Sequence, residues 1–260
     1  MGSRRQSRSP AKKKKKQPKA KGAKGQKGAA RGRGGTYQVK MASSRAPRAG
    51  AVGLENLRSG QLTALPRVIQ SNFFGPEYKR YGVHDDGSCF FHTVCSALNL
   101  SDCQSKSPAA RQRIGHQFRR MVQHKLSAQS WTNIWQKRKL RDRNLLPKVE
   151  KVRTMLGNTK TWADVYMIFL TMDLYDLNII FFDGTSDNIY CGVRGLQPHN
   201  QRTLLVLWVN HAHFEPIVRV RGAKDRTFLY DKDDPFISRL MAQYHTKHCP
   251  GPSDDIHNVL

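Results

Sequence analysis

Apolar residues take up a regular pattern only from about Leu54 onward. Leu62, Leu65, Val68 and Ile69 recur at helical spacing around Pro66 and predict a short helix. Residues 109–126 read as an amphipathic helix, with Ile114, Phe118, Met121 and Val122 on one side and Arg or Gln between them. The basic stretch 136–153 is expected to be helical in part. Leu140, Leu145, Leu146, Val149 and Val152 are its apolar positions, and Pro147 breaks or restarts it. Thr161 is the expected N-cap of a further helix carrying Val165, Ile168, Phe169, Met172 and Leu174. Then the period changes. Residues 178–183 are a short apolar run ending in Asp-Gly, and 188–191 suit a partner strand. Residues 203–209 are almost wholly apolar, as in the middle of a sheet, and 213–220 alternate. Helices come first and strands last, the order of an α+β domain of roughly 150 residues.

Charge divides the chain. Residues 1–50 hold 17 Lys or Arg and no Asp or Glu, most of the net +26 carried by all 260 residues. With almost no large apolar side chains, this stretch cannot offset the entropy of ordering it, so residues 1–53 are expected to be a disordered basic tail. The run Lys12 to Lys16 and the tract Arg31-Gly-Arg33-Gly-Gly suit contact with nucleic acid or another polyanion through residues 1–50, or nuclear import. No zinc finger, RNP motif or helix-turn-helix accompanies them, which argues against sequence-specific reading. Residues 54–75 read as a lead-in segment and 222–260 as a polar C-terminal extension. No apolar run approaches the roughly 18 residues of a spanning helix, and no apolar stretch backs the first basic residues. The expectation is an intracellular protein of the cytoplasm or nucleus, without a membrane partner.

Five cysteines, Cys89, Cys95, Cys103, Cys191 and Cys249, are odd in number and form no CxxC pair, which fits a reducing compartment. Cys89 stands apart. An Asp86-Gly-Ser turn runs from there into an apolar stretch at helical spacing, so Cys89 opens a helix. Unsatisfied N–H groups and the positive dipole end would lower its thiol pKa. The same N–H groups could hold an oxyanion. A second segment, residues 209–218, carries His211, His213 and Glu215 on one strand face. A carboxylate there can orient an imidazole, and spacing alone leaves both histidines eligible. His245, His248, Cys249 and His257 could be read as zinc ligands, but the paired ligand groups of a structural zinc site are missing.

Asp86-Gly-Ser-Cys89-Phe-Phe resembles the Asp-Gly-x-Cys-Leu/Phe-Phe/Tyr signature of the ovarian-tumour (OTU) family of cysteine proteases. In that family the catalytic His lies more than a hundred residues downstream and precedes an aromatic residue; His213-Phe214 matches. The resemblance implies an OTU-type, papain-like α+β fold over 76–221, a small central β-sheet flanked by helices. It also implies a deubiquitinase acting on ubiquitin or ubiquitin-like conjugates, with no cofactor and no metal. Cys89 would be the nucleophile, His213 the general base and acid, Asp86 the residue shaping the turn near the oxyanion, and Glu215 the orienter of His213. The family often has Asp or Asn where Glu215 stands, so Asn210 is a reserve orienter. His92 replaces the Arg common three residues after the Cys. The rival expectation is a basic nucleic-acid-associated protein, of packaging or virion type, carrying a secondary or inactive OTU domain.

Overall fold

In the computed structural model the described residues are 54–137, 147–186, 188–191, 202–222 and 225–245. The basic tail lies outside them, as do His248, Cys249, His257 and the side chain of His245 from the zinc reading. Among the described residues no helix is long and apolar enough to cross a membrane.

The fold is α+β, with helices packed on a mixed sheet. The strands are β1 (Leu62–Ala64), β2 (Tyr78–Tyr81), β3 (Leu177–Asp183), β4 (Ile189–Cys191), β5 (Arg202–Val209), β6 (His213–Val220), β7 (Arg226–Thr227) and β8 (Leu229–Asp231). Six run in the order β1-β2-β6-β5-β3-β4, while β7 adds to β6 and β8 to β5. Only β3 and β5 pair in parallel. The helices are α1 (Arg67–Phe73), α2 (Cys89–Ala97), α3 (Pro108–Lys125), α4 (Ala128–Lys137), α5 (Val149–Gly157), α6 (Val165–Leu174) and α7 (Pro235–His245).

Why β3 and β5 lack alternation is plain from their two faces. Ile179, Phe181, Leu204, Val206 and Trp208 pack with α2, α3 and α6. Their neighbours Ile180, Phe182, Leu205, Leu207 and Val209 pack with α1 and α7 on the other face. A strand covered on both sides gains by being apolar at every position, about 1.5–3 kcal/mol for each large side chain fully buried.

Pro66 explains the first departure from the sequence pattern. It cannot sit within a helix, so Leu62–Ala64 pair as a strand with β2 and α1 begins after the proline. At α6 the cap is Asp164, not Thr161: its carboxylate accepts the Met167 N–H at 2.9 Å. The largest difference is at the C-terminal end. Residues 225–245, read as part of a polar extension, add two strands and a helix to the domain and bury Phe228, Tyr230, Phe236, Ile237 and Leu240. Phe228 and Tyr230 lie at strands of two and three residues, too short for a period to show, and Phe236, Ile237 and Leu240 share one short helix with polar neighbours.

Phe236 measures that difference. Its ring lies 5.3 Å from Phe74 and 4.8 Å from Tyr78, centre to centre. Phe236→Ala should cost about 3–5 kcal/mol in urea unfolding; an unchanged midpoint would return 222–260 to the status of an appendage.

Candidate active site

Helix α2 starts where the sequence places Cys89 because the turn before it closes on itself. Asp86 Oδ1 accepts the Ser88 N–H at 2.8 Å, and the Asp86 carbonyl accepts the Cys89 N–H at 3.0 Å. These are two of the N–H groups expected to hold an oxyanion, and the turn itself uses both. At Gly87 any side chain would strike the backbone of Thr159 and Lys160, so only glycine fits. From α3 comes a residue that the motif gives no hint of. The Arg119 guanidinium, fully buried, donates to the Gly87 carbonyl at 2.7 Å and to Ser88 Oγ at 3.1 Å. It also donates to the carbonyls of Leu156 and Met155 at 2.8 and 2.7 Å.

The helix is then docked on β6. Thr93 Oγ1 donates to the Phe214 carbonyl at 2.9 Å, and the Phe90 and Phe214 rings lie 5.9 Å apart. The backbone N–H of Phe214, the residue after His213, acts to lower the Cys89 thiol pKa, and through these contacts the first and second motifs meet. Both Cys89 and His213 are only 1 % exposed.

Two carboxylates flank the His213 ring. Asp85 Oδ1 is 3.4 Å from Nδ1, and Glu215 Oε1 is 3.7 Å from Nε2. Neither ring nitrogen makes a hydrogen bond to a described residue. Glu215 has other partners: Arg80 Nε donates to its Oε2 at 2.8 Å, and the Leu57 N–H to its Oε1 at 2.9 Å. Arg80 stands opposite Ile217 in the β2–β6 register, hence diagonal to Glu215 on the same face. Asp85 and Arg80 were not singled out from the sequence. Asp85 precedes the motif by one residue, and only its place in the turn could have flagged it.

The other expected residues lie elsewhere. His211 sits in the β5–β6 turn beside Asn210, both with left-handed backbone (φ 58° and 50°). Its ring lies 4.7 Å from Trp208, and its Nε2 is 3.3 Å from Asp183 Oδ2. The Asn210 side chain holds Leu54 instead of an imidazole. Asp86, besides shaping the turn, gathers His92 Nε2 at 3.0 Å, His116 Nε2 at 3.0 Å and Gln112 Nε2 at 3.2 Å. His92, one turn into α2, thus gives Asp86 in the preceding turn a partner on that helix. Asp86, His92 and His116 are the described residues that could ligate a cation, their ligand atoms lying within 4.8 Å of one another. A metal on His92 Nε2 would force the ring proton onto Nδ1, which has no acceptor. The hydrogen-bonded arrangement leaves no such donor stranded.

Electrostatics depart from the sequence reading. Burial pushes the Cys89 thiol up to about 12, with the Asp86 and Asp85 charges acting in the same direction; the N–H groups of Phe214 and Phe90 offset only part. The helix start does not produce a resting thiolate, because the sulfur is out of water and beside two acids. Burial also lowers the pKa of His213, against the raising effect of Glu215 and Asp85. The resting pair is a neutral thiol and a neutral imidazole. For Asp86 burial raises the pKa, but the His92 hydrogen bond and charge, the Ser88 N–H and Gln112 overcome it and hold the carboxyl well below the usual range.

No protein-family model matches the chain, and no curated protein does either. Solved structures with some likeness include an ovarian tumour (OTU) domain in complex with ubiquitin, 14% identical over 64% of this chain and 81% of that one, TM-score 0.42. The Hazara virus OTU bound to ubiquitin is 12% identical over 56% of this chain and 83% of its own, TM-score 0.37. An OTU deubiquitinase from Wolbachia pipientis wMel, bound to ubiquitin, is 15% identical over 56% and 98%, TM-score 0.35.

The raised thiol gives a pH signature. A free thiol ionises near pH 8.5, whereas folded Cys89 keeps its proton until far higher. Iodoacetamide alkylation of Cys89 should therefore go on rising from pH 8 to pH 11. Over the same interval the unfolded thiol ionises and the folded one does not, so stability from this group, full below pH 8, is lost as pH rises. An alkylation rate that levels off near pH 8 to 9 would contradict the neutral resting pair.

Proposed function

We propose that the domain is an OTU-type thiol hydrolase that cleaves peptide or isopeptide bonds after the C-terminal glycine of ubiquitin or a ubiquitin-like protein. The observation that carries the chemistry is the buried Cys89 thiol at the start of α2, a helix docked through Thr93 and Phe90 on Phe214, next in sequence to a buried imidazole flanked by two carboxylates. The substrate class comes from the resemblance of residues 86–91 and 213–214 to the family's motifs.

His213 takes the Cys89 proton, and the thiolate attacks the carbonyl carbon of the terminal glycine. The resulting imidazolium is stabilised by Asp85 at Nδ1 and Glu215 at Nε2. His213 then gives its proton to the leaving amine as the C–N bond breaks and a thioester remains. Water, deprotonated by His213, attacks the thioester, and the departing thiolate recovers the proton. Asp86 keeps the turn in shape, and the N–H groups of Phe90 and Phe214 support the negative sulfur. For residues 1–50 we propose contact with nucleic acid or another polyanion, which would place the enzyme where its substrates are.

Cys89→Ala should abolish hydrolysis of a fluorogenic ubiquitin C-terminal conjugate, and His213→Ala should be about as damaging, since members of a catalytic unit are not additive. His211→Ala should leave the rate nearly intact. Equal losses at the two histidines, or activity surviving Cys89→Ala, would contradict the assignment.

The tail has its own test. Binding of the full chain to RNA or heparin should weaken steeply with salt, by about 0.9 in log K per unit log salt for each phosphate contact on duplex nucleic acid. Deleting residues 1–50 should abolish it, and binding that persists in the shortened chain would move the contact into the domain.

A further inference from the structure

The segment that leads into the domain lies across the site. Its first residue, Leu54, is held at both main-chain groups by the Asn210 side chain, which accepts the N–H at 3.0 Å and donates to the carbonyl at 2.7 Å. Next, the Glu55 carbonyl accepts Arg80 Nη2 at 2.9 Å. Asn56 Nδ2 donates to Asp85 Oδ2 at 2.6 Å, and the Leu57 N–H to Glu215 Oε1 at 2.9 Å. The Leu57 side chain and the Arg58 carbonyl then press onto Gly82, where a Cβ would collide with both. Beyond them the Gly60 N–H and the Gln61 carbonyl pair with Gly82, each at 2.8 Å, and lead into β1.

Every side chain that the residues from Leu54 to Leu57 are hydrogen-bonded to here belongs to the surroundings of His213. Asp85 and Glu215 are the two carboxylates at its ring nitrogens. Arg80 neutralises Glu215, and Asn210 stands in the turn that brings in β6. Most of what they read is main chain, the mode by which proteins hold extended peptides whatever their sequence. Glu215 and Arg80 are buried, so without residues 55 and 57 each would lose a partner it cannot replace from the fold. The surroundings of His213 are thus completed by a length of peptide held mainly through its main chain, and in this chain that peptide is its own.

We propose that Leu54–Arg58 occupies in cis the groove through which the extended C-terminal tail of a ubiquitin-like substrate reaches Cys89, and holds the site shut until that tail displaces it. This rests on the thiol-hydrolase reading above. A segment tethered to its groove competes at millimolar effective concentration, so only a substrate anchored elsewhere on the domain, as a folded modifier is, can displace it. Short peptides cannot.

The test keeps the full chain and loosens the segment with Asn56→Ala and Leu57→Pro, which remove the hydrogen bonds to Asp85 and Glu215. Iodoacetamide alkylation at pH 8, read by peptide mapping, should speed up about ten-fold or more at Cys89 while buried Cys95 and Cys103 stay slow. The KM for a ubiquitin C-terminal conjugate should fall. Unchanged alkylation at Cys89 would overturn the proposal. So would acceleration at all three cysteines, which would make the segment a structural part of the fold. If Cys89 alone became reactive and neither protein cleaved ubiquitin, the cis occupant would stand and the ubiquitin reading would fall.

Discussion

Arg119 is the side chain on which the site's geometry turns. At the end of α5 the Met155 carbonyl has the N–H of the cap residue Asn158 while the Leu156 carbonyl lies past the helix's own donors, and the turn ahead of Cys89 has a carbonyl aimed at the protein interior. One guanidinium answers both, from a third helix, with its face over the Phe91 ring at 4.9 Å. Burial lowers its pKa to about 10, which leaves it charged at neutral pH. Five donors in a rigid plane suit a junction of three helices in a way that a lysine could not. The position of the Cys89 thiol therefore follows from a residue thirty positions away that never approaches a substrate.

That geometry is bought with solvation. A buried thiol and a buried imidazole both become neutral, and the carboxylates around them favour the imidazolium while opposing the thiolate. Reactivity then depends on what enters. A bound carbonyl that accepts the sulfur's electrons removes the negative charge from beside Asp85 and Asp86, and leaves the imidazolium between Asp85 and Glu215. In this arrangement charge separation is unfavourable while both groups stay buried, and the neutral thiol reacts slowly with oxidants and alkylating agents.

Much of the site was legible because the chemistry that makes it also marks the sequence. A turn glycine, a cysteine and an apolar run at helical spacing announce the start of α2, and the parity of 213 and 215 puts His213 and Glu215 on one face of β6. Periodicity also located α3, α6 and the doubly covered strands β3 and β5. What escaped was whatever depends on residues far apart in sequence. Arg80 and Arg119 look like any other basic residues among 45, and only the fold shows that they are buried. The depth of Cys89 escaped for the same reason: a helix start is a local feature, whereas desolvation is collective. Strands as short as β7 and β8 have no period to read, and they exist because β6 and β5 offer them an edge.

The contact between Leu57 and Glu215 spans 158 positions. At the usual pace of translation, about 5–20 residues per second, some 8–30 s separate the synthesis of its two ends. During that interval neither β6 nor its histidine exists, and the early segment has nothing to bind. Since β6 joins β1 and β2 to β5 and β3, the two halves of the sheet also wait for it before they meet. The domain consequently cannot assemble progressively from its N-terminus; it must condense late, once residues beyond 220 have left the ribosome. Until then Cys89 has none of its partners from β6, and the site and the segment held against it come into being together.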